Sequence, residues 1–403
     1  MVWAETDLCI VGGGPAGMVA GLLFARAGVH TTVLEKHADF LRDFRGDTVH
    51  PSTLRIFSEL GLLERLLERP HDKVHSLGAW IGDRHVEIAD FSGFDPRWNF
   101  VAMTPQWHFL DFVADEARAY PNFRLVMEAE ALGLTRAAGR VTGVRYMNGG
   151  EERTIAANLV IASDGRRSVL RDKLPLRSFG APMDVFWFRL PKGRAAENQS
   201  VGVIVAGRIM ALIDRGDYWQ CGYVFAKGTA DEIRAQGLDH FRASVSSTAP
   251  KLHLAVEALA SWDDVKLLTV ALDRLDRWHE PGLLVIGDAA HAMSPIGGVG
   301  INVAVQDAVA AANILAGPMA RGDSIDASLA KVQARRMPAV RAMQGFQDLA
   351  QRRVIGRLLA RSSGPVKPAL PLRLLDRLPW LRRLPAAFLG FGVRPEHVRS
   401  PRA

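Results

Sequence analysis

Only two cysteines and four tyrosines occur in 403 residues, and no stretch comes near ~18 uninterrupted apolar residues, the length a membrane-crossing helix needs. Cys9 and Cys221 each sit inside an apolar strand-like run, so they read as small core residues rather than a disulfide framework or metal site. The start of the chain carries Glu5 and Asp7 and leaves no room for a basic, cleavable leader. The expected location is therefore the cytoplasm, and a reducing compartment fits. H-E-x-x-H, Cys-x-x-Cys and Gly-x-Ser-x-Gly are all missing, so no metal is expected and no hydrolytic nucleophile is indicated.

What is present describes a folded protein: 48% hydrophobic residues, 23% charged and a mean hydropathy of +0.04. Single cores stop growing near about 250 to 300 residues, which makes two domains plus an appendage the expectation. The pI of 9.7 invites a nucleic-acid reading, but the charge is local. Residues 351–403 hold twelve Lys/Arg against Asp376 and Glu396, a net of +10, and the first 350 residues stand at −3. The basicity belongs to the tail, and no nucleic-acid partner is expected.

Asp7 to Val11 reads as a strand, Pro15 to Ala27 as a helix closed by Gly28, and Thr31 to Leu34 as a second strand, a βαβ opening. Helical spacing also runs from Ser52 to Leu67 and from Trp107 to Tyr120. Asp184 to Leu190, Ser200 to Ala206, Ile209 to Asp214 and Tyr218 to Phe225 are short β-type runs; tight turns at Gly207-Arg208 and Arg215-Gly216 predict an antiparallel meander. A further apolar strand at Leu283 to Ile286 and a helix at Asn302 to Leu315 return to the first texture. The expected fold is α/β: a Rossmann-like first domain over 1–75, 101–175 and 276–345, a mainly antiparallel β-sheet domain inserted as 76–100 and 176–275, and a basic helical tail over 346–403.

Gly12-Gly13-Gly14-Pro15-Ala16-Gly17 matches the dinucleotide fingerprint between a strand and a helix. Gly12 permits the turn, Gly14 lets a pyrophosphate approach the backbone and Gly17 lets the helix pack on the strand. Glu35, followed by Lys36, ends the second strand where a carboxylate can accept the hydroxyls of an adenosine ribose. The motif alone does not separate NAD from FAD.

Further along, Pro281 to His291 (PGLLVIGDAAH), then Ser294-Pro295 and Gly297-Gly298-Val299-Gly300-Ile301-Asn302, resembles the second FAD motif of the aromatic-hydroxylase family typified by p-hydroxybenzoate hydroxylase, which includes the ubiquinone-biosynthesis hydroxylases. Leu159 to Arg171 resembles the family's Asp-Gly motif, with Asp164 and with Ser163 where alanine is more usual. Arg45-Gly46-Asp47 resembles its flavin-contacting arginine segment, and Gln106 stands where the family places a polar residue on FAD. The resemblance covers about residues 5 to 345. It implies FAD as cofactor, NADH or NADPH as electron donor, and hydroxylation of an aromatic or quinone-like small molecule by way of a flavin C4a-hydroperoxide. The residues fit independently: Asp288 ends a buried strand and can accept from a ribityl hydroxyl, Gly300, Ile301 and Asn302 open a helix facing the flavin ring, Gly298 leaves space against it, and Pro295 stiffens the backbone near its reactive edge; Pro295 and Arg45 are the candidate catalytic residues. His291 reads as structural rather than as a base.

On the substrate side, Trp219, Cys221, Tyr223 and Phe225 alternate onto one face of a strand, and Trp187 and Arg189 share a face of another. Either set suits a ring-shaped substrate or an ordinary sheet core. A flavin dehydrogenase of a lipophilic substrate is the alternative activity. Leucines and Trp380 interleave with arginines in the tail, which suits either peripheral contact with the inner face of a membrane or a cap packed on the first domain.

Overall fold

The computed structural model describes residues 2–41, 48–171, 173–193, 200–360 and 364–403. Five parallel strands form its centre, in the order Phe123–Val126, Thr31–Leu34, Val2–Val11, Glu151–Ala162, Leu283–Val285. Their register pairs Cys9 with Thr32 on one side and Val160 on the other, and Ile161 with Leu284. Both faces of this sheet are covered, which is why its central segments, Leu8 to Val11, Leu159 to Ala162 and Leu283–Val285, read as unbroken apolar runs. Leu8 and Ile10 point into a core with Met18, Leu22, Val305 and Val309, from the helices Pro15–Arg26 and Gly300–Ala320. Cys9 and Val11 point the other way, onto Trp278, Val340 and Met343, the last two from the helix Asp326–Ala350. An antiparallel hairpin, Glu130–Ala137 with Arg140–Asn148, extends the sheet from Glu151–Ala162.

The second sheet has seven strands in the order Lys266–Leu268, Met183–Pro191, Tyr218–Ala226, Arg208–Asp214, Val201–Val205, Ser76–Ile81, Arg84–Asp90. Every neighbouring pair is antiparallel except Val201–Val205 with Ser76–Ile81, so a segment far upstream completes the meander.

The structure departs from expectation at three places in the fold. The Ser52 to Leu67 pattern is two helices, Pro51–Glu59 and Leu63–Leu66, because Gly61 adopts φ +72 and turns the chain while the leucine spacing continues across the break. The helix expected from Asn302 begins at Gly300. That helix and the turn before it, Ile296–Ala320, are long and apolar enough to cross a membrane, yet 83% of the apolar window is buried inside the protein.

The tail folds back over both sheets. Arg382 pairs with Glu87, and Arg84 with Asp376 at 2.7 Å, on the edge strand of the second sheet. The last residues then run along the first domain: Glu396 N–H donates to Gln306 Oε1 (3.1 Å), Asn313 Nδ2 to the His397 carbonyl (2.7 Å), and Ala403 N–H to the Arg26 carbonyl (2.9 Å). The end of the tail is thus a cap on the first domain. Exposed leucines and Trp380 remain on Leu370–Arg377 and the turn after it.

Candidate functional site

Four loops meet at the carboxyl edge of the parallel sheet, the edge where such sheets place ligands. Backbone bonds hold them in line: Gly12 N–H to Leu34 O (2.8 Å), Ser163 N–H to Val11 O (2.8 Å) and Ile286 N–H to Ala162 O (3.0 Å). Ser163 Oγ also donates to the carbonyls of Val11 (2.9 Å) and Gly12 (3.0 Å), which gives the serine in place of alanine a bonding role.

The glycines divide by what surrounds them. A Cβ on Gly12, at φ +103, would stand 2.5 Å from the Ser163 carbonyl, and one on Gly17 would stand 1.9 Å from the Gly12 carbonyl. These two positions need glycine for folding. A Cβ on Gly14 meets nothing within 4 Å, and the same holds at Gly300. Gly14 precedes Pro15 and Ala16 at the start of one helix, and Gly300, Ile301 and Asn302 open another. Neither helix start is closed by a side-chain cap or an acidic first turn, which leaves the first-turn amides without a side-chain cap among the described residues.

Glu35 closes the end of the second strand. Its Oε2 accepts from Gly13 N–H (2.8 Å), and its Oε1 accepts from His37 N–H (3.1 Å) and lies 2.6 Å from His37 Nδ1. Lys36 beside it is exposed. Gln106 is the first residue of the helix Gln106–Arg118 and is half-buried.

Asp288 lies in the turn after Leu283–Val285 and accepts from Arg166 Nε at 3.1 Å. Arg166 Nη2 donates to the Met293 carbonyl (3.1 Å), and Arg171 Nη1 donates to the Ala289 carbonyl (2.7 Å), so two arginines of the Asp-Gly segment tie it to the Asp288 loop. Arg166 Nη1 and Asp164 Oδ1 are buried without a partner. Burial pushes the Asp164 carboxyl above its ordinary range, partly offset by hydrogen bonds from Ser168 and Val169. These unsatisfied groups, with the open helix starts, suit a polar ligand lying along the edge.

Behind the edge, His291 Nε2 is 2.5 Å from Asp307 Oδ2, and Arg336 Nε donates to Asp307 Oδ1 at 2.9 Å. Asp307 also accepts from Gly287 N–H (3.1 Å). Burial opposes its ionisation, but His291 and Arg336 outweigh that and hold the carboxyl below its ordinary range. His291 is thereby tied through Asp307 to the helix Gly300–Ala320. Asp307 was detectable in the sequence as the only charged residue between Gly300 and Ala320.

Pro295 leads into the turn Ile296–Gly298, where Gly297 and Gly298 take φ +78 and +63. Thr48 Oγ1 donates to the Gly298 carbonyl (2.6 Å). The side chain of Asn302 is already engaged: Oδ1 accepts from His50 N–H (2.8 Å) and Thr53 Oγ1 (2.7 Å), and Nδ2 donates to the Thr48 carbonyl (3.1 Å). Its backbone amide alone is open to a ligand. Arg45 lies outside the described residues.

The expected substrate wall needs correction. Trp219 and Tyr223 do share a face with Cys221 and Phe225, but that face packs on Phe241, Val245 and Leu252 and is the second sheet's own core. Tyr223 Oη bonds Ser244 Oγ at 2.9 Å inside it. The opposite face carries Trp187, which lies across Gly222 and packs in one cluster with Ile296, Ile355 and Leu359, against the Pro295 loop. Arg189 is exposed farther along the strand, over the Tyr218 ring.

A family model described as an FAD binding domain matches residues 5–347. The chain belongs to this family of FAD-dependent aromatic hydroxylases. It is 30% identical to 6-methylpretetramide 4-monooxygenase of Streptomyces rimosus, over 98% of this chain and 95% of the relative. Protoasukamycin 4-monooxygenase of Streptomyces nodosus subsp. asukaensis is 24% identical, over 85% and 87%. Among solved structures, PqsL of P. aeruginosa in complex with 2-aminobenzoylacetate superposes with a TM-score of 0.76 at 20% identity, over 89% of this chain and 98% of that one. The flavin-dependent halogenase CmlS shares the fold too, with a TM-score of 0.74 at 22% identity. This protein is accordingly a flavoprotein monooxygenase, an oxidoreductase that uses FAD.

Proposed function

We propose that this monooxygenase hydroxylates an aromatic or quinone-like small molecule on the side of the second sheet that faces the Pro295 loop, with NADH or NADPH as electron donor. The names of its relatives support that substrate class, since they act on or bind compounds such as protoasukamycin and 2-aminobenzoylacetate. The observation that carries the reading is the pair of open helix starts, at Gly14 and at Gly300, along one sheet edge. Together they suit a long dinucleotide with a pyrophosphate at one end and a carbonyl-bearing ring at the other.

In this reading the amides after Gly14 bind the pyrophosphate and Glu35 takes the ribose hydroxyls, its Gly13 contact fixing the carboxylate in place. Asp288, oriented by Arg166, accepts from the ribityl chain, and the unpartnered Arg166 Nη1 and Asp164 Oδ1 are satisfied by the ligand or its waters. The amides of Gly300, Ile301 and Asn302 place partial positive charge beside the ring. Gly298, where a side chain would collide with Thr48, shapes the turn beside the ring, Pro295 stiffens the ring's edge, and Gln106 and Lys36 contribute from the periphery. FAD held there supplies the electron transfer that couples nicotinamide oxidation to dioxygen, so that one oxygen atom enters the substrate and the other leaves as water. We also assign the segments 1–75, 101–175 and 276–345 to the FAD domain, 76–100 and 176–275 to the substrate domain and 346–403 to the tail. The exposed side of the tail contacts an anionic membrane surface from the cytoplasm.

Labelled dioxygen tests the activity: the hydroxylated product gains one labelled atom per turnover. Product formed in air without label would overturn it.

A further inference from the structure

A series of buried carboxylates and arginines runs from the end of the chain to the turn that carries Asp288. Glu396 belongs to the tail, yet it is only 4% exposed. Its Oε1 accepts from Arg335 Nε at 2.7 Å and lies 3.6 Å from Arg336 Nη1. Arg336 is 1% exposed and is held from its other side by Asp307, whose Oδ1 accepts from Nε at 2.9 Å. Asp307 uses its second oxygen for Gly287 N–H (3.1 Å) and His291 Nε2 (2.5 Å), so it grips the chain on both sides of Asp288. Gly287 takes φ +61 there, which makes the direction of the turn depend on how its amide is held.

Arg336 Nη1 is the informative atom. It is buried and makes no hydrogen bond, so the charge of Glu396 is what draws that end of the guanidinium away from Asp307. With that charge gone, Asp307 is the one carboxylate left to Arg336 in this series, and a planar guanidinium can turn two donors onto it. Asp307 would then trade its bonds to Gly287 and His291 for a bidentate arginine.

We propose that Glu396 is a positioning residue for FAD: through Arg336 and Asp307, the carboxylate of the tail keeps the Gly287 amide bonded and Asp288 aimed along the sheet edge. This rests on the reading above that Asp288 contacts FAD. Such coupling is reciprocal. FAD that fixes the Asp288 turn also fixes Asp307 and Arg336, and so tightens the seat of Glu396. The amides of the last residues report on that seat: Glu396 N–H donates to Gln306 Oε1 (3.1 Å), Val398 N–H to Glu59 Oε2 (2.8 Å) and Arg399 N–H to Asn313 Oδ1 (2.7 Å).

The test is hydrogen exchange on the whole chain, read by mass spectrometry over residues 393–403 with and without saturating FAD, beside FAD titrations. In wild type FAD should slow exchange of these amides by roughly tenfold. Glu396→Gln, which keeps the shape and the backbone bond of the residue, should weaken FAD binding by about the same factor and remove the FAD-dependent slowing. Asn313→Ala is the control. It releases the His397 carbonyl and the Arg399 N–H but leaves the Glu396 side chain in place, so tail exchange should speed up, FAD should still slow it, and FAD affinity should hold. Tail exchange in wild type that is indifferent to FAD overturns the assignment, and so does Glu396→Gln with wild-type affinity. Asn313→Ala that weakens FAD as much as Glu396→Gln also overturns it, since attachment of the tail would then matter and the Glu396 charge would not. Failure of the underlying reading is separate: Asp288→Ala would bind FAD like wild type.

Discussion

Gly14 separates folding from binding in a way its neighbours do not. Its φ of −74 suits any residue and a side chain there meets only open space, so Gly14→Val should fold normally and lose FAD, read as a colourless protein with an unchanged melting temperature for the apo form. Asp288→Ala should weaken FAD binding by about 1 to 3 kcal/mol, the cost of one unpaired polar partner. His50 reports on the Pro295 loop, at Gly297 and Gly298. Burial pushes its imidazole from 6.5 down to about 4, offset in part by a bond to the Leu389 carbonyl (3.0 Å). With the folded pKa below the unfolded one, its contribution is fully present above about pH 6.5 and is lost as pH falls toward 4, an amount of about 3 kcal/mol. His50→Asn should therefore flatten the decline of melting temperature across that window; an unchanged decline would assign it to other groups. The committed side-chain amide of Asn302 cannot be read from residue type, since it depends on which backbone a distant loop brings within reach.

The elements most legible in the sequence are those whose burial leaves a one-dimensional trace. Val11, Leu34, Ala162 and Val285 end strands whose last two residues are apolar and buried, and a glycine or acid follows within two residues of each, so the carboxyl edge of the sheet is legible in the sequence. The meander was legible through its turns, but the face of Trp219 and Tyr223 was not. Helices cover one side of that sheet and the Pro295 loop the other, and alternation is identical for both. The tail shows the same ambiguity: amphipathic spacing describes a cap and a membrane helix equally. Residues 396–403 are bonded to the first domain, whereas Leu370, Leu374, Leu378, Trp380 and Leu384 stay exposed among Arg373, Arg377 and Arg383. That stripe should bind vesicles containing anionic lipid and release them as salt rises. Leu374→Glu with Trp380→Glu should abolish binding in a sedimentation assay and leave FAD content unchanged, and absence of binding by the intact protein at low salt would leave the stripe without a membrane role.

At the scale of the molecule, the proposed site draws on two sheets. The carboxyl edge belongs to the parallel sheet, Trp187 to the antiparallel one, and the Pro295 loop, clamped by Gln344 and Gln347, packs against Trp187. Leu389 from the tail also packs against Gly297, so the loop is touched from three directions by parts distant in sequence. In the proposed reading a substrate bound beside the Pro295 loop would touch the loop and the second sheet together, and it could shift the position of one relative to the other only through its differential fit to the two arrangements. Substrate would then have a means to control when electrons enter. An enzyme that activates dioxygen without a substrate in place wastes nicotinamide and releases peroxide, and exclusion of water from the site is complete only when a ring fills it. Consumption of NADH or NADPH should accordingly be slow in the protein alone and rise severalfold when a fitting phenol is added. True substrates should yield hydroxylated product in proportion to nicotinamide consumed, and compounds that fit the site but present no reactive carbon should raise consumption and yield peroxide instead. A basal rate equal to the rate with every binding compound would show that reduction is independent of substrate binding, and that the two sheets communicate only through the position of the bound substrate.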